Sequence, residues 1–146
     1  MDRICAGRKA QGVRGTVPCI TGCVITLFCV FQCGRFIAGL YTGPTGGIKI
    51  FDFKTQRWSI VQRTGECDWP TFSSDSQFIY FLLPWEDPGV YRIRVSGGNA
   101  ERVVDLKGFR YTGAFNFWFG LDPTDMPMLL RDVGTDDIYA LTLEQK

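Results

Sequence analysis

The sequence contains no histidine among its 146 residues. This absence excludes the Ser-His-Asp and Cys-His pairs that activate many hydrolase nucleophiles, because imidazole is the usual general base near neutral pH. It also excludes zinc sites that need an imidazole ligand. The sequence therefore argues against a hydrolase. We expect a protein that is not an enzyme, with no catalytic residues, no metal ligands and no cofactor.

The chain also lacks a charge excess of either sign, since it has 16 basic and 15 acidic side chains. An extended nucleic-acid-binding face needs a surplus of lysine and arginine, so we expect no nucleic acid partner. Apolar residues are abundant instead: 45% of the sequence is hydrophobic and 14% is aromatic. This composition argues against disorder, and the length is sufficient for the core of one domain.

The six cysteines are unevenly distributed, because five of them precede residue 34 and only Cys67 follows. A disulfide framework normally spans the whole domain, so this distribution argues against one. Cys19 with Cys23 and Cys29 with Cys33 repeat an i, i+4 spacing. Zinc ligands usually occur as C-x2-C-like pairs on polar turns, whereas these pairs lie in an apolar run, and we expect no zinc site there.

The first 33 residues differ in character from the rest of the chain. Residues 15–34 carry no charge, and several basic side chains precede them. A positive flank before an apolar segment is typical of a signal peptide or membrane anchor, although this run is short and interrupted. Residues 1–33 are therefore treated as a hydrophobic, cysteine-rich leader. It has three open interpretations: non-native translation, a signal or membrane tether, and an ordinary pair of buried strands.

From residue 34 to residue 146 the pattern predicts β-strands separated by turn clusters rich in Gly, Pro, Ser and Asp. Residues 48–53, for example, alternate between two faces, with Ile48 and Ile50 on the same side. Short hairpin turns join neighbouring strands, so we expect antiparallel pairing. The predicted strands are 35–41, 48–53, 57–61, 69–72, 77–83, 90–95, 101–106, 114–121, 127–132 and 137–143.

These strands form a unit that recurs along the chain. The third strands of successive copies begin near Ile48, Val90 and Asp137, a little over forty residues apart. That spacing is the period of a four-stranded propeller blade. A repeat this short cannot bury its own faces, so neighbouring blades supply the core. The sequence thus predicts an all-β fold, a partial β-propeller of about two and a half four-stranded antiparallel blades.

The repeats resemble the WD40-like blades of TolB and of the propeller domain in dipeptidyl-peptidase-like proteins. The family's motif is an aromatic residue, a Ser-Pro-Asp-Gly-like turn, a strand ending in an aromatic residue, and a later strand that ends in Gly-Gly. Trp69, the turn 73–76 and residues 78–81 match the first half, and residues 90–98 match the second half. The turn 73–76 reads Ser-Ser-Asp-Ser, so it departs from the motif at the proline and the glycine. Residues 121–141 look like a closing blade.

The resemblance implies the C-terminal blades of a bacterial, periplasmic, six-bladed propeller that binds a protein or small-molecule partner. Closing such a ring would need further blades or self-association, because propellers ordinarily have at least four blades. With the leader as a tether, the β domain would lie outside the cytoplasm. Two alternatives stay open: the propeller part of a prolyl-oligopeptidase-like peptidase, and a self-contained small β-barrel that binds an apolar ligand.

One loop is the first candidate for contact with a partner. Trp85, Glu86 and Asp87 form an acidic, aromatic segment between two predicted strands. Loops on a rigid scaffold often carry recognition, and aromatic side chains often carry interface energy. The alternative interpretation is an ordinary solvated loop.

Three further carboxylates lie near Gly134, namely Asp132, Asp136 and Asp137. Clustered oxygen ligands suit calcium, but these residues do not follow the order of an EF-hand. We expect a hairpin turn at residues 133–136 instead, because Gly and Asp favour the backbone angles of turns. The segments 73–76 and 122–125 are likewise expected to be turns whose Ser and Asp side chains cap nearby backbone amides.

Overall fold

The computed structural model describes residues 25–32, 34–41, 46–62, 67–112 and 118–135. Every regular element in these ranges is a β-strand, so the described chain is all-β and this prediction is confirmed. No helix in the described part of the chain is long and apolar enough to cross a bilayer. The strands are β1 Ile25–Gln32, β2 Phe36–Tyr41, β3 Gly47–Asp52, β4 Arg57–Gln62, β5 Asp68–Phe72, β6 Phe78–Leu83, β7 Gly89–Arg94, β8 Glu101–Asp105, β9 Phe119–Leu121 and β10 Pro127–Leu129.

The described strands form two four-stranded sheets and one two-stranded sheet. The first sheet has the order β1-β2-β3-β4, the second β5-β6-β7-β8, and the third pairs β10 with β9. All the pairings are antiparallel, as predicted, and within each sheet the strands pair in chain order. Most predicted strands differ from the observed ones by only a residue or two at their ends. The predicted strand 137–143 lies outside the described residues, as do residues 114–117.

Strand β1 lies inside the segment that the sequence assigned to the leader. Its backbone pairs with β2, with Gln32 opposite Phe36 at the hairpin end. Residues 25–32 therefore belong to the first sheet. The signal, anchor and non-native interpretations also concern residues 1–24 and 33, which lie outside the described residues.

Strand β6 of the second sheet is buried on both faces, and this explains its unbroken apolar run. Side chains of a strand alternate between its two faces. Ile79 and Phe81 join a core cluster shared with the first sheet. Tyr80 and Leu82 join a different cluster on the other face, which includes Phe119 of β9. A strand covered on both sides needs apolar residues at consecutive positions rather than at alternate ones.

The first strands of successive sheets lie next to each other. Strand β5 contacts β1 on one side and β9 on the other. The three sheets are thus stacked in chain order, with the second sheet as the middle layer. The hairpins that follow β1, β3, β5 and β7 lie at one end of the stack, here called the hairpin end. The β6–β7 loop lies at the opposite end of the second sheet.

Candidate partner-binding loop

Residues 84–88 connect β6 to β7 and contain the three residues that the sequence singled out. The base of the loop is fixed by the backbone, because the Leu106 N–H donates to the Pro88 carbonyl at 2.9 Å. Gly89 follows at the start of β7, where an added Cβ would lie 2.8 Å from the Val104 carbonyl oxygen. A Cβ cannot approach a backbone oxygen so closely, so glycine allows β8 to pack against the end of the loop.

Both carboxylate oxygens of Asp87 are engaged. The Tyr91 hydroxyl donates to Oδ2 at 2.5 Å and also lies 3.1 Å from the Asp87 carbonyl oxygen. The Arg102 guanidinium donates to Oδ1 at 2.9 Å. Burial raises the pKa of Tyr91, and the hydrogen bond to Asp87 raises it further. Asp87 is therefore a fixed part of the loop, held by side chains of β7 and β8.

Arg102 is exposed, as is Asp87, so their ion pair is expected to contribute little to global stability. Its effect is local, because it limits the positions that the loop can adopt. Arg102 also lies 4.0 Å from Asp105, which places a second carboxylate beside the same guanidinium. The ring of Tyr91 stacks on Phe81, with centroids 5.9 Å apart, and this contact connects the loop support to the core.

Trp85 and Glu86 are the exposed members of the loop. Trp85 keeps 55% of its surface accessible, although it is preceded by the buried Pro84. An indole exposed to this degree leaves a large apolar area available for contact with another molecule. Glu86 places a carboxylate directly beside it. The structure thus brings the three predicted residues together on a supported loop, in which Asp87 is held by side chains of β7 and β8 while Trp85 and Glu86 are exposed.

The predicted capping turns are confirmed in the hairpin between β5 and β6 and in the hairpin between β9 and β10. Asp75 accepts a hydrogen bond from the Gln77 N–H at 2.9 Å. Asp122 accepts bonds from the N–H groups of Thr124 and Met126 at 2.7 and 3.0 Å. These are local Asx-type bonds, which stabilise a turn without any other part of the fold.

A contact between two of these turns was not predicted. The Asp125 carboxylate accepts the Ser74 N–H at 2.8 Å and the Ser74 hydroxyl at 2.9 Å. The two residues are 51 positions apart, so this pair joins the second sheet to the third. The only signal in the sequence was an acidic residue at the last position of the 122–125 turn, and nothing there specified its partner.

Three turn carboxylates have pKa values below the ordinary 3.8. The pKa of Asp52 is lowered mainly by its hydrogen bond from Arg35. The pKa of Asp75 is lowered mainly by the Ser73 hydroxyl, which donates to it at 2.6 Å. The pKa of Asp122 is lowered first by the Met126 N–H and then by the hydroxyl and N–H of Thr124. In each case the donors favour the ionised carboxylate.

Asp132 precedes the predicted hairpin turn at residues 133–136, which extends outside the described residues and stays a prediction. It accepts the Gly134 N–H at 2.8 Å and an Arg110 N–H at 3.3 Å. Asp136 and Asp137 lie outside the described residues. Within the described ranges, no group of three His, Cys, Asp or Glu side chains is placed to hold a metal ion.

The chain matches no protein-family model, no curated protein and no solved structure. The likeness to TolB-type blades consequently depends on the motif residues of this sequence.

Proposed function

We propose that this chain is a non-enzymatic binding or scaffold module made of β-propeller blades of the TolB-like type. The observation that carries the proposal is the middle sheet, a four-stranded antiparallel meander whose strands β5, β6 and β7 contribute to a core on each face. A blade inside a propeller has this environment, because each blade packs between two neighbours. The contacts of β5 with β1 and β9 support the same arrangement, since the innermost strands of successive blades are neighbours around a propeller axis.

The loop at residues 84–88 is the surface that we propose for partner binding. Its support is pre-organised, because Tyr91 and Arg102 hold Asp87 before any partner arrives. Pre-organisation lowers the conformational entropy lost on binding. Trp85 offers an apolar anchor, and Glu86 offers a carboxylate that would suit a cation. We therefore propose a protein partner with a basic side chain beside an apolar one.

The proposal that the module is not an enzyme has its support in the sequence. With no histidine in the chain, a general base near neutral pH would have to be another titratable group, such as a carboxylate, an amine or a thiol. The carboxylates with lowered pKa values are turn caps, and their shift makes them weaker bases. A binding role needs only the folded blades and the exposed loop, and it does not need a general base.

Site-specific photo-crosslinking tests the proposed loop. Benzoylphenylalanine would replace Glu86 in the loop or, as a control, the exposed Lys54 at the hairpin end. We expect one saturable crosslinked species with the probe at position 86 in extracts of the native host, and none with the probe at position 54. Equal crosslinking at both positions, or none at position 86, would contradict the proposal.

The crosslinked partner, once purified, allows a quantitative test. We expect Trp85→Ala to raise the Kd by roughly tenfold or more, as removal of an aromatic anchor does at other interfaces. Met126→Ala is the control, because Met126 is also exposed but lies in the turn between β9 and β10, away from the loop. An unchanged Kd for Trp85→Ala would remove the loop from the interface.

A further inference from the structure

A pocket of about 360 Å³ lies beside the turn that connects β7 to β8. Its volume falls within the range of about 300–1,000 Å³ that is usual for small-molecule sites. The turn is at the hairpin end, so the pocket is at the opposite end of the second sheet from the loop at residues 84–88. The residues that give it its chemical character are Phe78, Arg92, Arg94, Glu101 and the turn residues 97–99.

The charged side chains of the pocket lie on the face of the second sheet that packs against the third sheet. In the register of β6 with β7, Phe78 is opposite Arg94 and Tyr80 is opposite Arg92. Opposite residues, and residues two positions apart in a strand, project from the same face. Phe78 and Tyr80 both belong to the core cluster that contains Phe119 of β9. The two arginines therefore share that face with them.

The two guanidinium groups of this face are held over one aromatic ring. Arg92 and Arg94 each lie 4.9 Å from the ring centroid of Phe78. Stacking of this kind restricts a long side chain that would otherwise be mobile. It also places two positive charges against a single side chain, within about one Debye length of each other, where they repel.

The repulsion between the two arginines is only partly offset. Glu101 forms an ion pair with Arg92, whose guanidinium also donates to the Tyr80 hydroxyl at 3.4 Å. Arg94 is exposed and forms no ion pair with any carboxylate in the described residues. The described residues of the pocket therefore carry one uncompensated positive charge, which is that of Arg94.

The turn that follows Arg94 adds neutral donors beside this charge. The Gly97 N–H donates to the Arg94 carbonyl at 2.8 Å, and this bond closes the turn. Gly97 and Gly98 have φ values of 90° and 125°, which glycine adopts far more readily than other residues. Within the described ranges, the N–H groups of Gly98 and Asn99 donate to no backbone carbonyl. Both residues are exposed, so these donors and the Asn99 carboxamide are available to a ligand.

We propose that this pocket binds the phosphate group of a small molecule, either inorganic phosphate or a phosphomonoester. Arg94 supplies the charge, because its planar guanidinium matches phosphate oxygens in a two-point geometry. Successive N–H groups of a turn can bind the same anion, and residues 98 and 99 provide them. A bound phosphate also relieves the repulsion between Arg92 and Arg94. The proposal depends only on β6, β7 and β8, so it is independent of partner binding at the loop.

A titration of the full chain followed by amide NMR tests the ligand class. The probes are inorganic phosphate, glycerol phosphate and neutral glycerol, all at the same ionic strength. We expect saturable shifts of the Gly98 and Asn99 amide signals with both phosphates, and none with glycerol. Tighter binding of glycerol phosphate identifies a phosphomonoester as the ligand, whereas tighter binding of inorganic phosphate identifies the free ion. Equal shifts with glycerol, or no saturable shift with either phosphate, would overturn the proposal.

Two variants locate the binding. Arg94→Gln keeps a long polar side chain but removes the charge, and it should weaken phosphate binding by roughly tenfold. Arg131→Gln is the matched control, because Arg131 is exposed and does not line the pocket. If both variants weaken binding equally, the anion is held by net charge and the assigned site is wrong. Circular dichroism of each variant establishes that it is folded.

Discussion

Asp125 holds Ser74 by two hydrogen bonds, from its N–H at 2.8 Å and from its hydroxyl at 2.9 Å. Each residue lies in a hairpin turn, one between β5 and β6 and the other between β9 and β10. The pair therefore joins two sheets that also share a core around Leu82 and Phe119. Asp125 has a positive φ of 65°, a conformation that Asp adopts more readily than most residues. Both the positive φ and the hydrogen bonds to Ser74 therefore favour aspartate at position 125.

Replacing Asp125 with alanine should destabilise the protein. The change leaves the Ser74 N–H without its acceptor and puts alanine in an unfavourable left-handed conformation. We expect a loss of about 1–3 kcal/mol in the free energy of unfolding, measured by urea denaturation. Asp125→Asn should lose less, because Asn tolerates a positive φ and its amide oxygen still accepts one bond.

A double-mutant cycle with Ser74→Ala separates the contact from the backbone effect. We expect a coupling energy of about 0.5–1.5 kcal/mol between the two positions. Because Ser74→Ala removes only the hydroxyl donor, full additivity of the two substitutions would mean that the hydroxyl bond does not stabilise the fold.

The turn carboxylates predict a loss of stability in acid. Asp52, Asp75 and Asp122 have folded pKa values below 3.8, the ordinary value that they regain on unfolding. The unfolded chain therefore binds protons first as the pH falls. The stability that these groups contribute is present above about pH 4 and is lost as the pH falls through their lower folded values. Urea midpoints measured between about pH 7 and pH 2 should decline in this window.

Asp122→Asn isolates one of these groups. Because the variant has no carboxylate to protonate there, its urea midpoint should lie below that of the unmodified protein near pH 7, and the difference should shrink as the pH falls below about 4. Glu86→Gln is the control, since no described residue donates a hydrogen bond to Glu86. It should leave the urea midpoint unchanged both near pH 7 and at low pH. A constant difference at all pH values would show that Asp122 acts through something other than its ionised form.

Consecutive core residues of β6 should both be important for stability. Phe81 packs toward the first sheet, and Leu82 packs toward the third. Neither side chain is exposed, so we expect Phe81→Ala and Leu82→Ala each to cost about 2–5 kcal/mol in chemical denaturation. Val103→Ala should cost far less, because 41% of Val103 is accessible. A small effect at either Phe81 or Leu82 would mean that one face of the second sheet is not a core.

Gly89 should not tolerate alanine. The added Cβ would lie 2.8 Å from the Val104 carbonyl oxygen, which is backbone of the neighbouring strand. Separating β7 from β8 to relieve this contact should cost about 1–3 kcal/mol, measured as the fall in free energy of unfolding. Gly134→Ala is the control, because its nearest contact is the flexible Asp132 carboxylate at 3.2 Å. Equal effects of the two substitutions would argue against the close strand contact.

Much of the secondary structure could be predicted because its causes are local. The run at residues 77–83 consists largely of β-favouring and apolar residues, and it appears as β6 Phe78–Leu83. The caps by Asp75 and Asp122 were predictable for the same reason, since each carboxylate bonds amides within four residues of itself. The loop with Trp85 was predictable as a break between strands, but its support by Arg102 was not, because that contact requires β8 to lie beside it.

The sequence by itself determined that this chain forms antiparallel β-sheet with hairpin connections. The determining features are the alternation of side chains between two faces and the turn segments rich in Gly, Pro, Ser and Asp. Both are properties of a few adjacent residues. The tertiary structure alone decided which sheet covers each face of β6, that residues 25–32 add a strand to the first sheet, and that Asp125 meets Ser74. These relationships join residues far apart in the chain, and their positions depend on how whole sheets stack rather than on any local preference.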